Sequence, residues 1–125
     1  MIDLINSLTG NLLGKSLDRT TIENRLIANN IANLNTEGYR PLTTEIGQSY
    51  VDLQKAIEIK DTERLNEISE SWKPNEDVSV HPSYITVSLD QEMVKLANNT
   101  LLFQSLATAK SKLSDILKVA IKEGR

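Results

Sequence analysis

The only histidine in the chain, His81, stands beside Pro82 in a polar stretch. Nucleophilic catalysis needs a hydroxyl or thiol next to an activating base, and a histidine-bound metal needs further ligands. Neither pattern surrounds His81, which reads as a solvated loop residue. Glu76 and Asp77 are neighbouring carboxylates, but acid–base catalysis needs a pocket around such a pair, and adjacent acids in a turn-rich stretch serve solvation. None of the five glycines falls in a Gly-x-Gly or Walker pattern, so no phosphate-binding loop is encoded. Asn98-Asn99-Thr100 matches a glycosylation sequon, yet it lies inside a predicted helix and reads as a chance match. The expectation is a non-enzyme with no cofactor and no metal.

One segment does carry an unusual pattern of side chains. Ala28-Asn29-Asn30-Ile31-Ala32-Asn33-Leu34-Asn35-Thr36-Glu37-Gly38-Tyr39 is dense in asparagine. Asparagine is a mediocre helix former that bonds readily to nearby backbone, and glycine adopts positive φ at little cost, so part of the pattern is a helix stop. Capping accounts for two or three of these residues. Small Ala28 and Ala32 alternating with Asn29, Asn30 and Asn33 suggest in addition a surface where helices approach closely and amides bond across them.

The elements that hold this segment follow from composition and period. The chain has 125 residues, 39% hydrophobic but only 4% aromatic. Burial therefore rests on Leu, Ile and Val spread along the chain, which favours long helices in a single domain. Cysteine is absent, which excludes disulfides and thiolate metal sites. Lys+Arg 14 against Asp+Glu 17 gives a formal charge of -3, with no positive field to hold a phosphate backbone. The start MIDLINSLTG lacks a basic n-region, and no long apolar run follows, so neither a cleavable signal nor a membrane span is expected.

All three prolines, Pro41, Pro74 and Pro82, fall mid-chain, leaving the ends as the helical parts. Residues 1–34 form one helix with two apolar seams. Ile5, Leu8, Leu12, Ile22 and Leu26 make one; Leu13, Leu17, Ile27, Ile31 and Leu34 make the other. Gly10 and Gly14 inside it read first as a kink, with close helix contact as the alternative. Ser88 and Gln91 form a capping box, and from there a helix runs over 88–123, with lysines near its end and Gly124 as its stop. Leu102, Leu106, Ala109, Leu113, Ile116 and Ala120 form one heptad seam on it; Met93, Leu96, Phe103, Ala107, Leu117 and Ile121 form another. Two seams need two neighbours, either a second chain or the stretch from Tyr50 to Trp72. The middle, 35–87, is polar and broken, with room for one or two short helices. The expected fold class is all-α: two long terminal helices paired as an antiparallel coiled-coil hairpin around an irregular middle.

The asparagine-rich segment resembles the ANNIANxxTPGY signature of flagellar rod and hook axial proteins, through Ala28 to Ala32, Asn33, Thr36, Gly38 and Tyr39, with Glu37 in place of the usual proline. Val87-Ser88-Leu89-Asp90-Gln91-Glu92-Met93 resembles the same family's C-terminal pattern, with Ser88 for aspartate. Leu96-Ala97-Asn98-Asn99-Thr100-Leu101-Leu102-Phe103-Gln104-Ser105-Leu106 is similar to the FlgB type. The two matched ends cover a little over half of the chain, and the middle matches no known pattern. The resemblance implies an axial subunit of the basal-body rod, exported by the flagellar type III apparatus without a cleaved signal. It further implies assembly with copies of itself, with FlgC, FlgF and FlgG types, with a FliE-type adaptor, and with the membrane ring and export gate. No nucleic acid and no small-molecule substrate are expected. The assembly residues would be Leu26, Ile27, Asn30, Ile31, Asn33, Gly38 and Tyr39 on the first helix and its turn. On the second they would be Leu89, Met93, Leu96, Leu102, Phe103, Leu106, Leu113, Ile116 and Leu117. Two other readings use the same residues differently: a self-contained coiled-coil adaptor or export chaperone, forming a small closed dimer, and a small enzyme built on His81, Glu76 and Asp77.

Overall fold

The computed structural model describes residues 2–45, 47–84, 86 and 88–124, with side chains from Ser7 onward except at Glu45. The side chain of Ile5 in the first seam, and Val87 in the C-terminal motif, lie outside the described residues. Helix α1 (Ile2–Asn33) runs unbroken through Gly10 and Gly14. A Cβ at Gly10 would meet open space, and one at Gly14 would lie 3.3 Å from Lys110 Nζ. The neighbour at Gly14 is thus a flexible lysine end and not a second backbone. Helix α5 (Leu89–Glu123) begins at the expected capping box, with Gln91 N–H donating to Ser88 Oγ and Ser88 N–H donating to Gln91 Oε1, both at 3.3 Å. It ends at Gly124, whose N–H bonds Ala120 O.

The chain is mostly helical, but the all-α expectation needs correcting. Between the long helices lie β1 (Leu42–Glu45), α2 (Gln48–Glu58), α3 (Thr62–Ser71), α4 (Pro74–Asp77) and β2 (Ser79–Pro82). The strands pair antiparallel, Leu42 opposite Pro82 and Glu45 opposite Ser79. Pro82 has no N–H to donate and sits at the end of its strand, where the ladder loses least. The pairing brings residues 42 and 82 together, so everything between them folds as one excursion from the hairpin. Polar composition hid these short strands, because two four-residue segments carry too little periodicity to read.

The middle is ordered by local stop signals. After α2, Lys60 takes a left-handed φ of 58°. Asp61 N–H then bonds Ala56 O at 2.9 Å and Lys60 N–H bonds Ile57 O at 3.2 Å, the paired bonds of a Schellman stop. Asp61 next caps α3 by accepting from Arg64 N–H at 3.0 Å. The Arg64 guanidinium meets Glu67, one turn on in α3, at 2.8 Å and, across the helix pair, Asp52 at 3.0 Å. Gln48 and then Arg64, both hydrogen-bonded to the Asp52 carboxylate, hold it below its ordinary pKa; Glu67 and Asp52 raise that of Arg64. At the start of α2, Asp77 approaches so closely that a Cβ on Gly47 would overlap its carboxylate.

Leu53, Ala56, Ile68 and Trp72 bury one another, with Leu12 of α1, Tyr50 and Leu65 packed at the edge. Trp72 is 1% exposed, so the chain's only tryptophan anchors the stretch in which one or two short helices were expected. The Tyr50 and Trp72 rings lie 6.1 Å apart, and the Arg19 guanidinium sits 4.1 Å over the Tyr50 ring. Lys15 Nζ donates to Ser69 O, tying α3 to α1. No helix among the described residues is long and apolar enough to cross a membrane.

Candidate assembly interface

The end of α1 shows what the asparagines do. Asn30 is 2% exposed, and its amide pairs with the main chain of Leu42 at two points. Its Nδ2 donates to Leu42 O and its Oδ1 accepts from Leu42 N–H, both at 2.8 Å. Leu42 is where β1 starts, so one side chain fixes where the chain re-enters after the helix. Tyr39 OH donates to the same Oδ1 at 2.7 Å and accepts from Asn29 Nδ2 at 3.2 Å. Asn33 Nδ2 donates to Asn29 O at 2.8 Å, and Thr36 Oγ1 donates to Asn33 Oδ1 at 3.3 Å. Gly38 has φ 76°, a conformation that disfavours any Cβ. Asn30, Asn33, Thr36, Gly38 and Tyr39 therefore build one closed turn inside the chain. Capping explains more of the pattern than two or three residues, while Ala28 and Ala32 are exposed on the outer side of the helix.

The α1–α5 pairing is antiparallel and laced with polar contacts. Asn30 Nδ2 reaches Glu92 Oε2 at 3.4 Å. Asn99 Nδ2 donates to Thr20 O and Asn24 Oδ1, both at 2.8 Å, and Lys110 lies by Gly14. Residues 92, 99 and 110 thus face α1, and at alternating three- and four-residue steps the same row takes in Leu96, Phe103, Leu106, Leu113 and Leu117. Leu96, Leu106, Leu113 and Leu117 are half-buried. The seam toward α1 is therefore drawn from both predicted seams of α5 and includes polar members that neither contained. Glu92 is fully buried, with Lys95 Nζ 3.0 Å from its Oε1. Sequence reasoning missed Glu92 as a buried group and set Asn99 aside as a sequon. The signal available was their place four before and three after Leu96 on the same helix.

The predicted residues divide into three sets. Asn30, Asn33, Gly38 and Tyr39 form the turn. Ile27 is 5% exposed and Ile31 and Leu26 are half-buried on α1, with Leu96, Leu106, Leu113 and Leu117 half-buried on α5. Leu89, Met93, Leu102 and Ile116 face solvent, at 44–63% exposure, and Phe103, in the row toward α1, is still 37% exposed. Val94, Leu101, Val119 and Ile121 are exposed on the same helix. Beside Leu102, the α1, β1 and α5 surfaces enclose a cleft of about 390 Å³ lined by Arg19, Leu26, Asn30, Thr44, Lys95 and Leu102 among others. Glu23 closes one side, accepting from Thr44 Oγ1 at 2.7 Å. His81 lies in β2 opposite Thr43, and the described residues hold no cluster of three metal-ligating side chains.

Residues 25–40, the end of α1 and its closing turn, match the family model described as "Flagella basal body rod protein". Comparison with curated proteins and with solved structures gave no match. The family match supports a structural role in the rod of the flagellar basal body, and that family is structural rather than enzymatic.

Proposed function

We propose that the chain is a FlgB-type subunit of the proximal rod, linking the membrane ring and export gate to the distal rod and hook. The observation that carries this reading is the outer surface of α5. Large apolar side chains stand exposed at Leu89, Met93, Val94, Leu101 and Leu102 in its first half and at Ile116, Val119 and Ile121 near its end. Exposed apolar side chains in such number are a feature of an interaction face, and neighbouring subunits in a tube would cover them. The match at 25–40 supplies the family, and the turn described above gives the matched residues a structural role, because they fix where the chain leaves the hairpin and so the outline of the hairpin end. Export through the flagellar type III apparatus, the periplasmic rod position and contacts with FlgC, FlgF, FlgG and FliE types belong to this reading.

Deleting the gene in its source bacterium and imaging the envelope by electron cryotomography tests it. The expected outcome is membrane rings without rod or hook and loss of motility, both restored by the intact gene. Complete, rotating flagella in the deletion strain would refute the rod assignment. Leu106→Asp or Leu113→Asp, each placing a charge in the α1–α5 seam, is expected to give the same rodless, non-motile phenotype.

A further inference from the structure

Among the exposed residues of α5, one row is written almost as its own reverse. At seven-residue steps stand Lys95, Leu102, Ala109, Ile116 and Glu123. All five are exposed, Leu102 at 44% and Ile116 at 63%. Seven-residue spacing keeps a row along one side of a helix that packs with a slight supercoil. Read from the other end, the row runs acid, aliphatic, alanine, aliphatic, base. Two such helices laid antiparallel with Ala109 at the centre would set each Lys95 against Glu123 of the other copy and each Leu102 against Ile116. The small alanine would meet its own counterpart, where the helices cross most closely.

We propose that the free chain pairs with a second copy of itself through this row, in an antiparallel, two-fold contact of α5 on α5 centred on Ala109. The surroundings fit that occupant. The row lies to one side of the seam that faces α1, so a second α5 can lie alongside without displacing α1, giving four antiparallel helices. Lys95 and Leu102 also line the cleft beside α1 and β1, and that is where the second copy's Ile116 and Glu123 would arrive. Lys95 Nζ touches Glu92, but the Lys95 side chain remains 55% exposed. Among the described residues Glu123 has no ion-pair partner of its own. A two-fold contact is self-complementary and closes on itself. The pair would therefore shelter Leu102 and Ile116 in the unassembled protein and leave the exposed apolar surface nearer the N-terminus of α5 open. The pairing goes beyond the rod reading and does not depend on it.

The absence of cysteine from the chain makes the test direct. Single-cysteine variants of the full chain, each checked for native helicity by circular dichroism, are oxidised under mild conditions and resolved without reductant. Ala109→Cys is expected to convert from monomer to disulfide-linked dimer, because only a residue at the two-fold axis brings its own counterpart within disulfide range. Thr100→Cys, on the other side of α5, is expected to stay monomeric. Leu102→Cys and Ile116→Cys are expected to crosslink efficiently when mixed and poorly when each is alone. Self-crosslinking of both would mean parallel pairing and overturn the proposal. Equal crosslinking at Thr100 and Ala109, or sedimentation equilibrium showing a monomeric wild-type chain at all accessible concentrations, would overturn it too. Rodless cells together with a monomeric chain would remove the pair and keep the rod reading; complete flagella with Ala109 crosslinks would do the reverse.

Discussion

Helix α1 has two partners, and they are held in different ways. Toward the middle segment it adds Leu12 to a dry cluster around Trp72, Leu53, Ala56 and Ile68. Toward α5 the buried contacts include Asn99 on Thr20 and Asn24, and Asn30 on Glu92. The first contact is a small core of the kind that stabilises a module by itself. The second fixes direction and register but leaves the far side of α5 uncovered, and Glu92 is the one buried residue of that 35-residue helix. Buried polar groups are poor sources of net stability and good sources of register, since a slipped alignment strands them without partners. One face of α1 thus completes a core, while the other positions a helix whose far side stays uncovered.

The sharpest way to break this comparison is at the dry core. Trp72→Ala should cost about 3–5 kcal/mol, the range for deleting a large buried ring. That is a large share of the roughly 5–15 kcal/mol that holds a typical domain together. Urea unfolding followed by circular dichroism is expected to show a large drop in midpoint and loss of the α2–α3 helicity first. Native-state hydrogen exchange on the wild type should show the same division, with the amides of Leu53, Ala56 and Ile68 among the slowest to exchange.

Next in size is Asn30→Ala. The substitution strands the N–H and C=O of Leu42 and removes a donor from buried Glu92. Each buried polar group left unpaired costs about 1–3 kcal/mol, so a loss of roughly 2–4 kcal/mol is expected. Asn29→Ala, at an exposed position bonded only to Tyr39 and Asn33, should stay within about 0.5 kcal/mol of wild type. Equal effects at the two asparagines would mean that the turn is not organised by the amide pair at Leu42.

The long helices were legible because their signals repeat. Ser88 and Gln91 mark a start, proline is missing from both ends, and leucine recurs along both helices, so each cue supports the next. The turn was legible only in part: the asparagines stood out, but the role of Asn30 depends on Leu42, twelve residues on, which nothing in the local pattern singles out. The core around Trp72 was hidden for a related reason. Leu53, Ala56, Ile68 and Trp72 lie on two short helices among acids and lysines, and their burial becomes visible only once Lys60 and Asp61 fold α2 back against α3. The stripe of α5 that meets α1 was misassigned because burial on that side includes Glu92 and Asn99, and a search for apolar seams passes over polar members.

A smaller effect of opposite sign is expected at Lys60. A side chain in the left-handed region costs roughly 1 kcal/mol relative to glycine, and Lys60 is exposed and engaged only through its backbone. Lys60→Gly should therefore stabilise the α2–α3 pair by up to about 1 kcal/mol, partly offset by the greater freedom of glycine in the unfolded chain. The gain should appear as a raised thermal midpoint with the helical signal unchanged. A fall in midpoint would mean that the lysine side chain stabilises the turn in a way its surroundings do not show.

The smallest expected change in stability lies on the other side of the comparison, and it is the most informative about function. Leu101 is 62% exposed on α5. Leucine and glutamine have similar helix propensities, so Leu101→Gln alters the outer surface without altering the tendency to be helical. In the isolated chain the midpoint should stay within about 0.5 kcal/mol of wild type, the usual result at a surface position without buried partners. In the cell the same change should weaken motility in a soft-agar swarm assay, because a neighbour that covers Leu101 would then bury an amide without a partner. A variant that is stable in the tube and defective in the cell separates the completed face of α1 from the unfinished surface of α5. If Leu101→Gln leaves motility intact while Leu106→Asp abolishes it, the contact that matters lies inside the hairpin, and the exposed residues near Leu101 are not part of the assembly surface.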